Sequence, residues 1–567
     1  MRWLALGAVL LLATGCTNPA TRPTSSAPTV PTLHALNSHG ATVTEAGRNR
    51  TLEVSADLGS GYEIPLATEA LLSQDSQKAF TVDVDASVGS LALHVAAPSA
   101  AVAMLRDARG HLLCAARAGR VCSTLGPNAT EEWTLTLYSL TPQGVAVQAK
   151  VTLDPDTPPL PDDGAAAGPF VVRDGKQSGG EPTLAILPDG GALVGAGDGV
   201  SRLHPDGTFT DASPPIDGAA HQTLDPFLWG DQVTGRIYTS ELASCMRLSW
   251  TDDAGATWTT NPAVCAGPDQ HHQKITTGPS PVPGQRAVHI GTMNLASWLA
   301  TNDVVITHSR SLDGGLTFTQ NPAMTKQTAG MEARAVGNIA VEDDGTVLII
   351  AYLCDQFVDA PYNGVAIGRS ITDGVTWTWT KIAPGGGRCE GIDPGLYAVG
   401  NKTYAAWEDI SAGTGHVWWS QSADSGATWS KPQAIPTPGL HSFAFTDAAA
   451  SPTRLVAAFL ATPDTALGPT QTPGWGRWYP YLASLNLTQA NATWQVVRLQ
   501  NDTVQRGPIC MDGPLCLDGA RNLLDFIDVQ LAKDGRAYVA YADGCNDACS
   551  TSWQSRGDDL HVAIEQR

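Results

Sequence analysis

The sequence predicts an all-β protein, with a small β-sandwich followed by a β-propeller of seven blades, or of six in the alternative. Three observations predict it. The composition, with 57 Gly, 38 Pro and 16 Trp in 567 residues, favours short strands joined by tight turns. Runs of alternating hydrophobicity occur in the first third of the chain. A turn motif then recurs at intervals of 60, 59 and 52 residues, which is typical of a repeat architecture.

The first residues predict an exported protein with a lipid anchor. Arg2 supplies a positive charge, residues 3–13 form a short apolar run, and Cys16 follows two small residues. This resembles a lipoprotein signal, which is cut before the cysteine that becomes lipidated; the alternative is an ordinary secretory signal peptide cut nearby. We therefore expect residues 1–16 to be the signal with its cysteine. Residues 17–33, rich in Thr, Ser and Pro, are expected to be a flexible tether.

The remaining cysteines indicate an oxidising compartment. Ten of the eleven remain once Cys16 is set aside, and an even number suits disulfides. Sequence does not fix their connectivity, but neighbours along the chain predict five local bridges. The pairs are Cys114 with Cys122, Cys245 with Cys265, Cys354 with Cys389, Cys510 with Cys516, and Cys545 with Cys549. Metal binding is the rival interpretation for the last pair, yet no nearby His/Cys pair completes a zinc pattern.

The charge of the chain bears on its partners. A formal net charge of −21 argues against nucleic acid, because phosphate binding requires a face rich in Lys and Arg. We expect a solvated surface, a monomer, and contact with the membrane only through the lipid anchor.

Composition also divides the chain. Residues 34–155 contain short alternating runs such as FTVDVDA and WTLTLYSL, which predict a small β-sandwich accessory domain. Residues 156–168 are rich in Pro, Gly and Ala and are expected to be a linker. Residues 169–567 carry the repeats and are expected to form the propeller.

The repeated turn has the pattern S/T-x-D-x-G-x-T-W/F. Its copies are TDDAGATW from Thr251, SLDGGLTF from Ser311, SITDGVTW from Ser370 and SADSGATW from Ser422. The third copy has Thr372 in place of the acid, which is found one position later. The pattern resembles the Asp-box of the BNR or sialidase superfamily, in which the acid lies on the rim away from the active site. Asp253, Asp313 and Asp424 are therefore expected to bind backbone amides within their hairpins.

A second periodic feature marks the start of each unit, where polar residues lead into an apolar strand. The seven units begin with EPTLAILPDG at Glu181, LDPFLWGD at Leu224, HHQKITTG at His271, EARAVGNIAV at Glu332, GIDPGLYAVG at Gly391, HSFAFTDA at His441 and LLDFIDVQLA at Leu523. Such spacing suits four-stranded blades with variable loops. The last unit is one strand short, and PFVVRD from Pro169 is expected to supply that strand and close the ring.

The resemblance implies a site on the rim where the units begin. The polar residues expected there are Glu181, Asp225, His271, His272, Glu332, Arg334, Arg388, Glu390, Asp393, His441, Arg521, Asp525 and Asp528. Sialidases hold the sialic acid carboxylate with three arginines, so the resemblance implies a triad of Arg334, Arg388 and Arg521. The Arg-bearing FRIP-like motif that opens many sialidase domains is absent, and GGEPTLAI stands in its place.

Two carboxylates suffice for a broader glycosidase. The candidates are Glu181, Asp225, Glu332, Glu390 and Asp525. The alternative for each is a carboxylate that binds backbone amides at the channel mouth, since buried polar groups require partners. For His271 and His272 the alternative to substrate binding is a solvated loop. His441 is a further candidate for substrate binding, or for a metal site with that pair.

Aromatic residues in GWGRWYPYL, from Gly474, form a last candidate group. Trp475, Trp478 and Tyr479 have flat apolar rings suited to stacking on sugars, and the alternative is packing between blades.

Together these features predict an exported sialidase-like glycoside hydrolase acting on extracellular glycans. The alternatives are a non-catalytic propeller that binds carbohydrate or protein at the cell surface, and another hydrolase or lyase chemistry on the same scaffold. No cofactor is expected, and a structural calcium ion stays open.

Overall fold

The structure, a computed structural model, covers much of the chain outside the N-terminal segment and several loops. The residues described are 42–46, 49–58, 77–84, 88–97, 101–110, 112–117, 121–126, 129–139, 145–154, 168–175, 177–215, 224–242, 246–261, 270–280, 282–294, 297, 304–354, 362–386, 391–411, 414–511, 521–545 and 557–566. The predicted signal with Cys16, the tether, and the site candidates Arg388 and Glu390 lie outside them.

The N-terminal part consists of two antiparallel sheets. Its strands are β1 (Thr42–Ala46), β2 (Asn49–Leu58), β3 (Gln77–Val84), β4 (Ser90–Ala96), β5 (Ala101–Arg106), β6 (Leu112–Arg117), β7 (Val121–Leu125), β8 (Glu131–Ser139) and β9 (Val145–Asp154). One sheet has the order β1-β2-β9-β4-β7 and the other β3-β8-β5-β6. Alternate residues of β4 are buried, and Leu93 shares one hydrophobic cluster with Leu135 of the other sheet. Burial of one apolar face from each sheet therefore holds this part together.

From residue 168 onward, the described residues form seven antiparallel sheets in chain order. The first three are sheet 1 with β11 (Thr183–Ile186), β12 (Ala192–Ala196), β13 (Gly199–Leu203) and β14 (Phe209–Asp211); sheet 2 with β15 (Leu224–Gly230), β16 (Ile237–Leu242), β17 (Met246–Thr251) and β18 (Thr259–Asn261); and sheet 3 with β19 (Gln270–Pro279), β20 (Arg286–Asn294), β21 (Val305–Ser311) and β22 (Thr319–Met324). Each strand pairs with the next, so every sheet is a meander.

Three more sheets follow the same plan. They are sheet 4 with β23 (Ala333–Val341), β24 (Val347–Cys354), β25 (Tyr362–Ser370) and β26 (Thr378–Pro384); sheet 5 with β27 (Gly395–Val399), β28 (Lys402–Ser411), β29 (Thr414–Ser422) and β30 (Gln433–Ala434); and sheet 6 with β31 (Ser442–Ala450), β32 (Arg454–Thr462), β33 (Arg477–Asn486), β34 (Gln495–Arg498) and β35 (Gln505–Arg506), which pairs with β33. Helix is almost absent from the described residues, where the short α1 (Lys326–Ala329) and a 3₁₀ turn (Pro469–Gln471) occur. The fold is all-β and consistent with a propeller.

Sheet 7 joins two distant parts of the chain. It contains β36 (Asp528–Leu531), β37 (Ala537–Asp543), β38 (Asp559–Glu565) and, beside β38, the early strand β10 (Phe170–Asp174). The pairing predicted for PFVVRD is therefore present. The first strands of successive sheets contact one another from β11 to β36, and β36 contacts β11 again.

The repeated turns connect the third and fourth strands of sheets 2 to 5. In the first copy Asp253 accepts hydrogen bonds from the Thr257 amide at 2.8 Å and the Thr257 hydroxyl at 2.6 Å. Asp424 makes the same pair of bonds with Thr428 at 2.9 and 2.6 Å. The Thr hydroxyl first, and then the Thr amide, lower the pKa of both carboxyls to about 2. Because strands alternate in direction, these turns lie at the end of the sheets opposite to where the first strands begin.

Five disulfide-bonded cysteines lie within the described residues. Cys114 and Cys122 form the predicted bridge. Cys354, Cys510 and Cys545 are also disulfide-bonded, while the partners predicted for them lie outside the described residues. In the described ranges no helix has the length and apolar character needed to cross a membrane.

Candidate functional site

Strained backbone marks the start of the first strands. Residues with left-handed φ angles occur there in six of the seven sheets: Glu181 (60°), Asp225 (49°), His272 (52°), Asp393 (54°), Phe445 (61°) and Leu524 (57°). Register shifts accompany three of them, between Leu224 and Phe227, His271 and Lys274, and Ala444 and Asp447. A bulge at a strand start re-aims the side chain it carries, and such strain is found most often at functional sites.

Three of the predicted carboxylates meet at this end of the sheets. Glu181, Asp225 and Asp525 are 1%, 6% and 0% exposed. The carboxylate of Glu181 accepts a hydrogen bond from the Asp225 amide at 2.9 Å. Its carboxyl also hydrogen-bonds the side chain of Asp525. Two carboxyls in such contact share a proton, because both cannot carry a charge at that distance.

The surroundings of the three carboxyl groups shift their pKa values in different directions. Burial, followed by the charges of Asp225 and Asp525, raises the pKa of Glu181 well above its ordinary value. Burial acts in the same direction on Asp225, but the His271 hydrogen bond and the charge of His272 outweigh it and lower its pKa. Asp525 is also buried, and its pKa is lowered by Arg521, which binds both carboxylate oxygens, Oδ2 at 2.6 Å. The cluster therefore holds one protonated carboxyl beside two carboxylates.

His272 is fixed by partners on both sides of its ring. Its Nδ1 lies 3.0 Å from Asp393 and its Nε2 lies 3.5 Å from Asp525. Burial lowers the pKa of His272, yet the Asp393 carboxylate and its hydrogen bond outweigh burial and raise this pKa to about 9. Lys274 in turn donates to Asp393 at 2.9 Å and lies 3.6 Å from the centroid of the Phe526 ring. A line of alternating charges thus runs inward from Asp525 through His272 and Asp393 to Lys274.

A second acidic pair lies beside Lys274 and Asp393, and these four residues form an axial network of buried charges. Asp447 and Asp528 face a cavity of about 30 Å³, together with Lys274 and Asn338. Asp528 accepts the Leu184 amide at 2.7 Å. Burial, and then the charge of Asp447, raise the pKa of Asp528 to about 8. Burial raises the pKa of Asp447 to about 6.

The cluster also bears on metal binding. The possible ligand atoms of Asp225, His272 and Asp525 lie within 4.8 Å of one another. A metal ion requires a neutral imidazole, whereas the carboxylates of Asp393, Asp225 and Asp525 raise the pKa of His272 to about 9. A metal ion bound by these residues would therefore compete with a proton on His272.

Other predicted residues have different surroundings. Glu332 forms an ion pair with Lys326 at 2.7 Å. Arg334 is 2% exposed and donates to the Met511 carbonyl. His441 is exposed, and its backbone amide bonds to the carbonyl of Thr462.

The aromatic candidates are mostly interior. Trp478 is fully buried and donates its indole N–H to the Gly507 carbonyl at 2.9 Å. Tyr479 is 6% exposed in a hydrophobic cluster of sheets 5 and 6, and Trp475 is partly buried. The surroundings of Trp478 and Tyr479 are those expected of packing residues.

Lys274 and Asp447 are members of the axial network that sequence reasoning missed. Both lie within apolar strands, where a charged residue is rarely buried without a partner. That rule is the signal available in the sequence: a lysine and an aspartate on the innermost strands of different units imply an internal network of charges.

Comparisons with known proteins give distant structural similarities. No family model and no curated protein matches the chain. Trypanosoma rangeli sialidase in complex with sialic acid aligns at 12% identity over 70% of this chain and 59% of that one, with a TM-score of 0.36. A leech intramolecular trans-sialidase aligns at 12% identity over 90% and 98%, with a TM-score of 0.31. A polysaccharide lyase of family PL25, an ulvan lyase, aligns at 11% identity over 51% and 79%, with a TM-score of 0.35.

This chain spans about 60% of the length of the first Trypanosoma rangeli sialidase it matches. At these identities and TM-scores the similarities carry no argument about substrate or mechanism, which depend on the chain's own side chains.

Proposed function

We propose that the protein is an exported glycoside hydrolase of sialidase-like type whose site is the carboxyl cluster of Glu181, Asp225 and Asp525. The observation that carries the proposal is the contact of three buried carboxyl groups whose surroundings displace the pKa values of Glu181 and Asp225 in opposite directions. The raised pKa of Glu181 supplies an acid at neutral pH, and the lowered pKa of Asp225 supplies a carboxylate. Glycosidic cleavage needs both, one to protonate the leaving oxygen and one to act at the anomeric carbon.

Each residue has a distinct part in this mechanism. Glu181 donates its proton to the glycosidic oxygen while the C–O bond breaks. Asp225 then bonds to the anomeric carbon, and water later replaces it as Glu181 recovers a proton from that water. Asp525 is a positioning residue, because both of its oxygens are bound by Arg521. His272, held by Asp393, stabilises the negative charges of Asp225 and Asp525.

The covalent role proposed for Asp225 implies one stereochemical course. The anomeric centre is inverted once when Asp225 attacks it and again when water replaces Asp225, so the configuration of the sugar is retained.

A second candidate function is a non-catalytic propeller that binds carbohydrate or protein. The observation favouring it is that the carboxylates also link neighbouring sheets. Glu181 accepts the amide of Asp225, and Asp225 accepts the amide of His272 at 3.0 Å. With Glu181 only 1% exposed, inter-sheet bonding alone accounts for its burial.

Hydrolysis assays with the full chain separate the two functions. The panel should contain sialosides and neutral and uronic-acid glycosides with a chromogenic leaving group. We expect Glu181→Gln to lower kcat by about 100-fold or more, because general acid catalysis contributes about that much. Glu332→Gln is the matched control, since Glu332 pairs with Lys326 outside the cluster. Activity should fall as pH rises through the raised pKa of Glu181.

The outcomes are distinct. Full activity in Glu181→Gln contradicts the assigned acid. Absence of hydrolysis across the panel, with retained glycan binding, favours the second function. If the wild type cleaves the other glycosides but not the sialosides, the sialidase-like specificity is overturned.

We also propose that the seven sheets are the blades of one closed ring, that residues 34–155 form a β-sandwich, and that Cys16 is lipidated. The disulfide-bonded cysteines support an exported location, because such bonds persist in oxidising compartments. Incorporation of labelled palmitate into the wild type and its loss in Cys16→Ser would test the anchor. Equal labelling of the two would contradict it.

A further inference from the structure

Exposed apolar side chains gather at one end of sheets 2 to 4. Eight large apolar residues are exposed in the described part of the chain, and six of them lie there, with exposed fractions from 38% to 72%. These six, the apolar patch, are Val233, Val282, Leu312, Leu316, Ile371 and Val375. Each is in a turn that follows a first or a third strand. Because strands alternate in direction, the apolar patch lies at the end of the sheets opposite to the carboxyl cluster.

The repeated turn does not require apolar residues at these places. In sheets 3 and 4, large apolar residues stand directly before the position of the acid and directly after the glycine. The same two positions hold Asp252 and Ala256 in sheet 2, and Ala423 and Ala427 in sheet 5. Exposed apolar surface that a fold does not need marks an interaction site when it is contiguous.

The apolar patch is contiguous because the turns of neighbouring sheets touch. Sheet 2 reaches sheet 3 where Nη1 of Arg236 donates to the carbonyl of Gly314 at 3.3 Å. Sheet 3 reaches sheet 4 where the hydroxyl of Ser280 donates to Asp373 at 3.4 Å. Each of these four residues belongs to a turn that carries a member of the apolar patch. One surface therefore extends over the three sheets.

The charged side chains between these turns are paired with one another. Arg236 donates to both carboxylate oxygens of Asp252, at 2.8 and 2.7 Å. Arg286 pairs with Asp231 at 2.7 Å. Such pairs neutralise the arginines, and the chain as a whole has a net charge of −21. The contact offered by this surface is therefore apolar rather than electrostatic.

We propose that the apolar patch rests on a lipid bilayer, with the carboxyl cluster facing away from it. The six side chains lie on separate turns, and a fluid bilayer interface accommodates projecting turns without a matching surface, in proportion to the apolar area they bury. A protein partner, in contrast, needs a complementary shape.

This inference rests on the lipid anchor proposed above for Cys16, which brings the chain to a membrane. Residues 17–41 separate Cys16 from β1 and can extend over as much as about 85 Å. The anchor therefore leaves the apolar patch free to reach the same bilayer. The patch adds a second membrane contact to the one that the sequence predicts.

A fluorophore placed in the apolar patch of the full chain tests the contact. Leu316→Cys is labelled with an environment-sensitive fluorophore, and the wild type taken through the same labelling gives the background. With phosphatidylcholine vesicles the emission should rise about two-fold or more and shift to shorter wavelength, because the label leaves water. Ala427→Cys is the matched control, since it has the same position in the turn of sheet 5 outside the patch. Its emission should not change.

Two further measurements separate the patch from the anchor and from charge. In a chain that also carries Cys16→Ser, the signal of Leu316→Cys should need about ten-fold more lipid or worse, because the anchor no longer raises the local concentration. An equal lipid requirement would contradict the anchor and still support the patch. Phosphatidylglycerol added to the vesicles should not strengthen the signal, since the chain is acidic. Hydrolysis is not measured, so failure of the proposed enzyme activity leaves these readouts unaffected.

Three results would overturn the proposal. Equal emission changes in Leu316→Cys and Ala427→Cys would show that the patch does not enter the bilayer preferentially. A signal strengthened by phosphatidylglycerol would replace the apolar contact with an electrostatic one. A signal that rises with protein concentration without vesicles, together with a doubled mass in light scattering, would assign the patch to a second copy of the chain.

Discussion

A buried histidine pair in sheet 3 makes stability sensitive to acid. His289 and His308 are both 0% exposed, and their rings hydrogen-bond through Nδ1 and Nε2 at 3.0 Å. Arg310 lies beside them and pairs with Asp373, whose Oδ1 is 3.8 Å from Nε2 of His289. Two imidazoles that share one proton in their hydrogen bond cannot both accept another without mutual repulsion, so the folded pair favours the neutral forms.

The size of the expected loss in stability follows from the shift in the pKa of His308. Burial, opposed in part by the Gly374 backbone, lowers the pKa of His308 from 6.5 to about 3. Between about pH 7.5 and pH 5 the unfolded imidazole gains a proton that the folded one does not, and this lowers the free energy of unfolding by about 2 kcal/mol. Burial and the charge of His308 lower the pKa of His289 as well, so it contributes in the same direction. Stability is thus lost as pH falls through the unfolded value.

Urea unfolding at a series of pH values measures this loss. The double variant His289→Gln/His308→Gln should show a smaller decline between pH 7.5 and pH 5 than the wild type. Comparison of the double variant with the wild type removes the contributions of all other titrating groups. One of these is His272, whose raised pKa changes the free energy of unfolding with the opposite sign and above pH 6.5. Replacement of the half-buried His204 by Gln is the control for changing a histidine outside the pair. The same pH dependence in the double variant and the wild type would refute the reasoning.

Two further changes probe the axial network and the repeated turns. Lys274→Met removes the buried ammonium that pairs with Asp393 at 2.9 Å and leaves His272 as the remaining cation beside this carboxylate. Breaking a buried pair costs about 3–5 kcal/mol, so we expect a loss of up to that amount in the free energy of unfolding, measured by urea titration; an unchanged midpoint would contradict the pairing. Asp424→Ala removes two hydrogen bonds to Thr428 and should lower the melting temperature, while Asp424→Asn, which keeps one acceptor, should lower it less; equal melting temperatures in all three proteins would show that the turn contributes no stability.

The repeated units were predictable because their local chemistry is regular. Gly255 and Gly426 have φ angles of 87° and 76°, as the turn pattern requires, and the acids bind amides within the same hairpin. Such interactions span four residues, so they are readable in a single window of sequence. The pairing of Phe170–Asp174 with the last strand was predictable because one unit lacked a strand.

The third copy of the turn makes a contact that its own sequence does not predict. Thr372 takes the place of the acid and accepts the Thr376 amide at 2.8 Å, which keeps the hairpin closed. The side chain of Asp373, which is the acid of this copy, pairs with Arg310 of the neighbouring sheet. Nothing in the motif indicates this second partner, because it is 63 residues distant in the chain.

The candidate site was predictable in part. Glu181, Asp225 and Asp525 were expected at one rim, and the structure brings them together. The order of their pKa values depends on His271, His272 and Arg521 as neighbours, which requires coordinates. Glu332 and Arg334 begin a unit in the same way but have different partners, and the start of their first strand lacks the left-handed non-glycine residue found at this place in the other six sheets.

The closing strand has a consequence for synthesis. Phe170–Asp174 leaves the ribosome early, but its partner Asp559–Glu565 is made far later. Until then β10 has an unpaired edge, and sheet 1 has no neighbour on one side. Sheet 7 is therefore completed only after Asp559–Glu565 has been made, and until then shorter chains can pair with one another through the open edge of β10. A nick between the two strands in the finished protein would leave them joined by their backbone hydrogen bonds.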